Sequence, residues 1–221
     1  MDKSEFERIV SNGNYHDGHS PLVRWKGKSF RLTLILEFRG QGPGKSADGT
    51  PWSVNRISKT IKEFGLNEAY RESNETTHNG DVTRTESIRV AGVLYSRNDN
   101  ENWKITKPEE PWQQPDGSGG STDPFEDIST DHEYKYLGTE VFRNATVKTY
   151  LATARKKTAN KANGTDEFLV STEKYWLDQD GTILKSVYRS DGKGIGRTSF
   201  TGITMEFVLD PSISITAPNV P

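Results

Sequence analysis

Hydrophobic and polar residues alternate most cleanly over residues 30–39, where Phe30, Leu32, Leu34, Leu36 and Phe38 are separated by Arg31, Thr33, Ile35, Glu37 and Arg39. Side chains of a strand point to opposite faces with period two, so this stretch predicts a strand with one apolar face and one mainly polar face. Burying its apolar side chains contributes roughly 10 kcal/mol before chain entropy is set against it.

Hairpin signals extend the β reading. Phe168-Leu169-Val170-Ser171-Thr172-Glu173-Lys174-Tyr175-Trp176-Leu177 is broken by Asp178-Gln179-Asp180-Gly181, and Thr182-Ile183-Leu184-Lys185-Ser186-Val187-Tyr188-Arg189 follows at once. Glycine reaches positive φ cheaply and Asp tolerates it, so Asp-Gly between two β-rich runs predicts a hairpin. Asn79-Gly80 predicts a second one, between strands over 69–77 and 81–97, the latter with a bulge at Ala91-Gly92. A turn at 98–102 then leads into the short strand Trp103-Lys104-Ile105. Strands over 133–137 and 140–156 form a further pair, and two more follow a loop at 190–197, closing on Ile215-Thr216-Ala217-Pro218.

Residues 52–64 fit two templates. Val54, Ile57, Ile61 and Phe64 have helical spacing, with Pro51 placed for a first turn after Thr50, whereas the Ser, Thr and β-branched content suits a strand. The β character of everything downstream favours the strand. Short helices are expected at 3–10, with Phe6, Ile9 and Val10 on one face, and at 124–128, capped by Asp123. Residues 40–46 and 158–165 read as loops. The Pro-, Gly- and Ser-rich stretch 108–123 reads as a long crossing loop inside a single domain spanning 1–221, because neither side of it alone holds a complete core. The predicted class is mainly β (α+β), built on a large antiparallel sheet.

Composition sharpens this outline. The 221 residues suit one large β domain, which buries roughly 70% of the surface its unfolded chain exposes. Hydrophobic residues make up 31% and mean hydropathy is -0.80, so the chain is strongly hydrophilic. No run of about 18 apolar residues offers a membrane-spanning helix. A net charge of -2, from 29 basic and 31 acidic residues spread along the chain, disfavours general nucleic-acid binding. The absence of cysteine removes a thiol nucleophile, disulfides and Cys-based zinc sites. No apolar core of a signal peptide follows Met1, which leaves a cytoplasmic protein or a mature fragment restarted with Met.

Candidate chemistry is thin. His16-Asp17-Gly18-His19 offers two imidazoles and a carboxylate, but in a loop without a further ligand nearby. Gly40-Gln41-Gly42-Pro43-Gly44-Lys45-Ser46 mimics a phosphate-binding loop, yet Arg39 stands where the first glycine is needed. Gly192-Lys193-Gly194-Ile195-Gly196 joins two antiparallel strands with no helix N-terminus to receive a phosphate. The acidic pairs Asp178/Asp180 and Glu109/Glu110 sit in turns, where carboxylates serve local hydrogen bonds. Trp25, Trp52, Trp103, Trp112 and Trp176 suit core and edge packing, with sugar stacking as the alternative. No catalytic or metal site, no cofactor and no enzyme activity is expected.

Several stretches carry a family resemblance. Glu133-Tyr134-Lys135-Tyr136-Leu137-Gly138-Thr139-Glu140-Val141, Tyr175-Trp176-Leu177-Asp178-Gln179-Asp180-Gly181, and Ile203-Thr204-Met205-Glu206-Phe207 with Ile213-Ser214-Ile215-Thr216-Ala217-Pro218 form three parts of it. Ile88-Arg89-Val90-Ala91-Gly92-Val93-Leu94-Tyr95 followed by Trp103 forms a fourth. Together they resemble the LolA-like superfamily of bacterial lipoprotein carriers, including mycobacterial lipid-binding lipoproteins of the LppX and LprG type. The resemblance implies an incomplete, strongly curved antiparallel β-barrel with short helices on its concave side. It further implies a non-enzymatic, extracytoplasmic (periplasmic or envelope-associated) mature fragment that holds a lipid, an acylated lipoprotein or another hydrophobic small molecule. On that reading Leu32, Leu34, Leu36, Phe38 and Ile88 line the cavity, with Phe125 and Ile128 on a covering helix, and residues 168–218 form the closing wall. The low hydrophobicity favours a second reading, a protein-interaction or sensing domain of an envelope regulator on the same fold.

Overall fold

A computed structural model describes Ser4, Phe6, Glu7 and residues 20–45, 51–106, 125–160, 166–194 and 197–220. His16, His19, Ile9, Val10 and the stretch 108–123 lie outside the described residues. Among the described residues eleven strands form one sheet: β1 (Phe30–Lys45), β2 (Pro51–Phe64), β3 (Tyr70–His78), β4 (Asp81–Val90), β5 (Val93–Asn98), β6 (Lys104–Thr106), β7 (Phe125–Phe142), β8 (Ala145–Asn160), β9 (Asp166–Leu177), β10 (Ile183–Gly194) and β11 (Arg197–Leu209). Their order is β6-β5-β4-β3-β2-β1-β11-β10-β9-β8-β7, and every neighbouring pair is antiparallel. The antiparallel, mainly β expectation is therefore met. The sheet is open, with β6 and β7 at its edges.

The order follows from short-range pairing plus one long-range contact. Each of the other neighbours is consecutive in the chain, and only β1 against β11 joins distant segments, with Phe30 opposite Leu209 and Leu36 opposite Ile203. Three two-residue turns use the positive φ that suits right-handed strand twist. They are Asn79-Gly80 (φ 51° and 102°), Ala91-Gly92 (51° and 80°) and Arg143-Asn144 (47° and 66°). The 178–181 turn is fixed by the Asp178 carboxylate, whose Oδ1 accepts the N–H of Asp180 at 3.0 Å and of Thr182 at 2.8 Å.

Several sequence expectations are corrected. Ala91-Gly92 reverses the chain and is not a bulge within one strand. The stretch 124–128 is part of β7 and not a helix, because residues 125–127 find cross-strand partners at 158–160. β1 runs through the glycine-rich stretch to Lys45, which pairs with Pro51 past an irregularity after Gly42. Residues 210–220 form no strand. The 168–218 region is no closing wall either: β11 lies in the middle of the sheet beside β1.

The face that carries Phe30 supports both apolar clusters and is here named the packed face. Trp25, just after the short helix Pro21–Arg24, inserts against Phe30, Leu32 and Phe207, with Phe64, Leu184 and Met205 around them. Ser20 caps that helix through its hydroxyl, which accepts the N–H of Leu22 at 3.2 Å. Phe6 enters a second cluster with Tyr150, Tyr175, Leu177 and Ile183, stacked on Tyr150 at 4.4 Å and edge-on to Tyr175 at 5.3 Å. Two aromatic side chains from the N-terminal region thus cover the parts of the sheet where burial is deepest.

Candidate binding cleft

Outside these clusters the packed face turns polar. Leu34 and Leu36 of β1 stand opposite Thr60 and Ser58 of β2, and Leu32 and Phe38 opposite Lys62 and Arg56. Ser58 donates to Asn74 Oδ1 at 2.9 Å, Thr60 donates to the same oxygen at 3.3 Å, and the Ser58 and Thr76 hydroxyls lie 3.0 Å apart. A hydroxyl and amide ladder covers the ground beside the leucine stripe, where an acyl chain would need apolar lining.

The residues expected to line one cavity do not share a face. Leu32 is buried beneath Trp25, and Leu34, Leu36 and Phe38 continue along the packed face. Ile88 is also buried, but the register Phe30–Phe64–Tyr70–Arg89 puts it on the opposite face, across from Arg71 and Tyr95. Phe125 and Ile128 belong to the edge strand β7, and their side chains lie outside the described residues.

The opposite face carries rows of charge. Arg31 on β1 donates from Nη2 to Glu63 Oε1 on β2 at 2.8 Å, and Arg71 on β3 donates to Glu63 Oε2 at 3.5 Å. Beside this row, β2–β5 enclose a cleft of about 370 Å³. One side is the row Lys59–Glu75–Arg84, in direct cross-strand register. The other is Ile61–Ser73–Glu86–Arg97, with Asp99 at the mouth.

Cross-strand partners hold these groups in place. Arg84 Nε donates to Glu75 Oε2 at 2.7 Å, Arg97 pairs with Glu86, and the Arg84 backbone N–H donates to Asp99 Oδ1 at 3.0 Å. Arg97 also lies over the Trp103 ring, 4.7 Å from its centroid, which limits where its guanidinium can swing. Lys59 makes no ion pair among the described residues and is exposed. Sequence reading missed the cleft because its charges are scattered over four segments and each reads as a solvated strand face. Alternating charge at the register positions was the available signal.

A third group lies on the same face near the β7–β8 turn. Trp176 donates through Nε1 to Glu140, while Lys174 and Lys185 lie over its ring at 4.3 and 5.1 Å from the centroid. Trp176 is only 9% exposed under this cover, so the indole is a packing element and offers no stacking platform for a sugar. Among the described residues no group of three or more His, Asp or Glu is placed to hold a metal ion. No helix among them is long and apolar enough to cross a membrane.

No family model matches the chain, and no curated relative does. Among solved structures the chain is similar to the translocator domain of the autotransporter NalP from Neisseria meningitidis, at 13% identity and a TM-score of 0.26, covering 92% of this chain and 93% of that one. It is also similar to an outer-membrane channel from Pseudomonas putida F1, at 8% identity and a TM-score of 0.23, covering 82% and 96%. Neither of these is a LolA-like carrier, and the hydroxyl and amide ladder beside the leucine stripe is not the apolar lining a lipid cavity needs, so the expected carrier family, with its periplasmic lipid-binding role, is corrected.

Proposed function

We propose that this chain is a non-enzymatic binding domain whose ligand is a short extended segment of mixed charge, laid across β2–β5. The observation that carries this reading is the cleft itself, with Lys59, Glu75, Arg84, Glu86 and Arg97 alternating in sign over the floor provided by Ile61. A ligand of one sign meets repulsion at every second position, whereas an alternating one finds a partner at each. The volume of about 370 Å³ suits a few residues of peptide and lies at the small end of ordinary ligand sites. Glu75 and Glu86 are already engaged by arginines, so Lys59 and the outer nitrogens of Arg84 are the groups with most to gain.

The absence of catalysis is part of the proposal. It is supported by the Asp178 carboxylate being used to build its own turn. Fluorescence polarisation with a labelled hexapeptide of alternating Lys and Glu tests the reading. A serine–alanine hexapeptide and a fluorescent fatty acid are the controls. Saturable binding of the charged peptide, weakened by salt and by Lys59→Ala with Arg84→Ala, is the expected result. Equal binding of the neutral peptide, preferential uptake of the fatty acid, or no binding at all would overturn it. Turnover lost in a single carboxylate variant would overturn the non-enzymatic part.

A further inference from the structure

The two edges of the sheet are unlike each other. In an order of eleven strands with every neighbour antiparallel, the first and last point the same way, so β6 and β7 are parallel in direction. Direct closure would therefore need a parallel pair, and β6 offers three residues against the eighteen of β7. Most of the outer edge of β7 has no partner strand among the described residues. Unpaired N–H and C=O groups along such an edge form a template for another strand. The strand is also regular where it counts: between irregularities after Asp127 and after Tyr136, residues 129–136 pair in unbroken register with 150–157 of β8.

We propose that β7 pairs antiparallel with β7 of a second copy of this chain, about a two-fold axis at Tyr134. Side chains of a strand alternate, so only registers that keep like faces together are open to it. With the axis at Tyr134, Glu133 faces Lys135 of the other copy twice over, and His132 faces Tyr136 twice. Asp131, Glu133 and Lys135 are all exposed, and Tyr136 and Leu137 on the same edge are 48% and 43% exposed despite their apolar surface. The axis at Glu133 would set two glutamates against each other, and the axis at His132 would set Asp131 against Glu133. Charge complementarity thus selects the one register and the identical partner together, as a two-fold interface requires.

Sedimentation velocity from micromolar to millimolar protein, on the full chain, tests this inference. The expected result is a monomer–dimer equilibrium. Lys135→Glu places glutamates opposite one another and weakens association by about tenfold or more. The double exchange Glu133→Lys with Lys135→Glu restores it. Hydrogen exchange supplies a second readout: amides of residues 130–136 gain protection with concentration in the wild type and not in Lys135→Glu. A monomer throughout the range overturns the proposal, as does a dimer indifferent to Lys135→Glu. Protection of 130–136 independent of concentration also overturns it, since that edge would then be covered within one chain.

Discussion

Ser186 gives the sharpest test of how the packed face is held. It is 1% exposed, lies opposite Tyr175 and Met205, and its Oγ has no hydrogen-bond partner among the described residues. Tyr175 belongs to the Phe6 cluster and Met205 packs on the Trp25 cluster, so the hydroxyl sits where the two meet. Leaving a buried hydroxyl unpaired costs about 1–3 kcal/mol, because its water contacts are lost and nothing replaces them. Ser186→Ala removes that group and leaves the Cβ packing intact, at the loss of one oxygen's dispersion contacts. A net stabilisation of about 1 kcal/mol is expected, seen in urea as a higher midpoint with unchanged slope. For a chain of this length it corresponds to about 2–4 °C in Tm. Ser186→Val is the companion variant, and overpacking there costs about 1–3 kcal/mol unless a void exists. Destabilisation of Ser186→Ala by about 1 kcal/mol or more would refute the reasoning, since the hydroxyl would then be satisfied within the core.

The N-terminal region should behave as part of the core: Phe6→Ala removes a ring buried to 1% and is expected to cost about 3–5 kcal/mol in urea unfolding. Gly80→Ala, at φ 102° in the β3–β4 turn with open space around it, should destabilise by about 1 kcal/mol through backbone strain alone, measured the same way. The Asp210 carboxyl is held below its usual 3.8 chiefly by the Ser212 hydroxyl, with the Ser212 backbone N–H and Arg31 adding to it and desolvation opposing them. A lowered folded-state pKa gives stability that is present above 3.8 and lost as pH falls through the folded value. Acid unfolding of Asp210→Asn should lack that part of the pH dependence, and an unchanged profile below pH 4 would count against the assignment.

Local signals in the sequence identified the strands better than their neighbours in space. The 30–38 stripe, Asn79-Gly80 and the 178–181 turn are written in residue types whose backbone preferences are strong. Arg143-Asn144 was missed because arginine seldom takes positive φ, so the pair carries little turn signal; strain there is borne by the long β7–β8 ladder. Residues 124–128 looked helical because a cap followed by a short apolar pair is ambiguous, and only pairing with residues near 158 decides it. The central position of β11 was illegible for a different reason. It depends on β1 meeting a strand some 170 positions away, a contact no local pattern reports. The cleft shares that difficulty, since Lys59, Glu75 and Arg84 become neighbours only through register.

The two halves of the sheet are held by different forces, and this bears on where recognition takes place. From β1 through β11 to β8, the packed face is covered by Trp25 and Phe6 and carries most of the deeply buried apolar side chains. On β2–β5 the packed face is instead tied by the Ser58–Asn74–Thr60 hydroxyl ladder, and the opposite face by exchangeable ion pairs such as Arg84–Glu75, both members of which are half-exposed or more. Exposed pairs of this kind contribute about 0–1 kcal/mol each, well below the burial of a single aromatic ring. Opening of β3–β5 should therefore take less free energy than opening of β8–β11, and its amides should exchange sooner. The proposed cleft lies on the half of the sheet that yields first. A ligand bridging β2 to β5 would replace the missing burial with contacts of its own, so protection of β3–β5 amides should rise on binding while that of β8–β11 stays as it was.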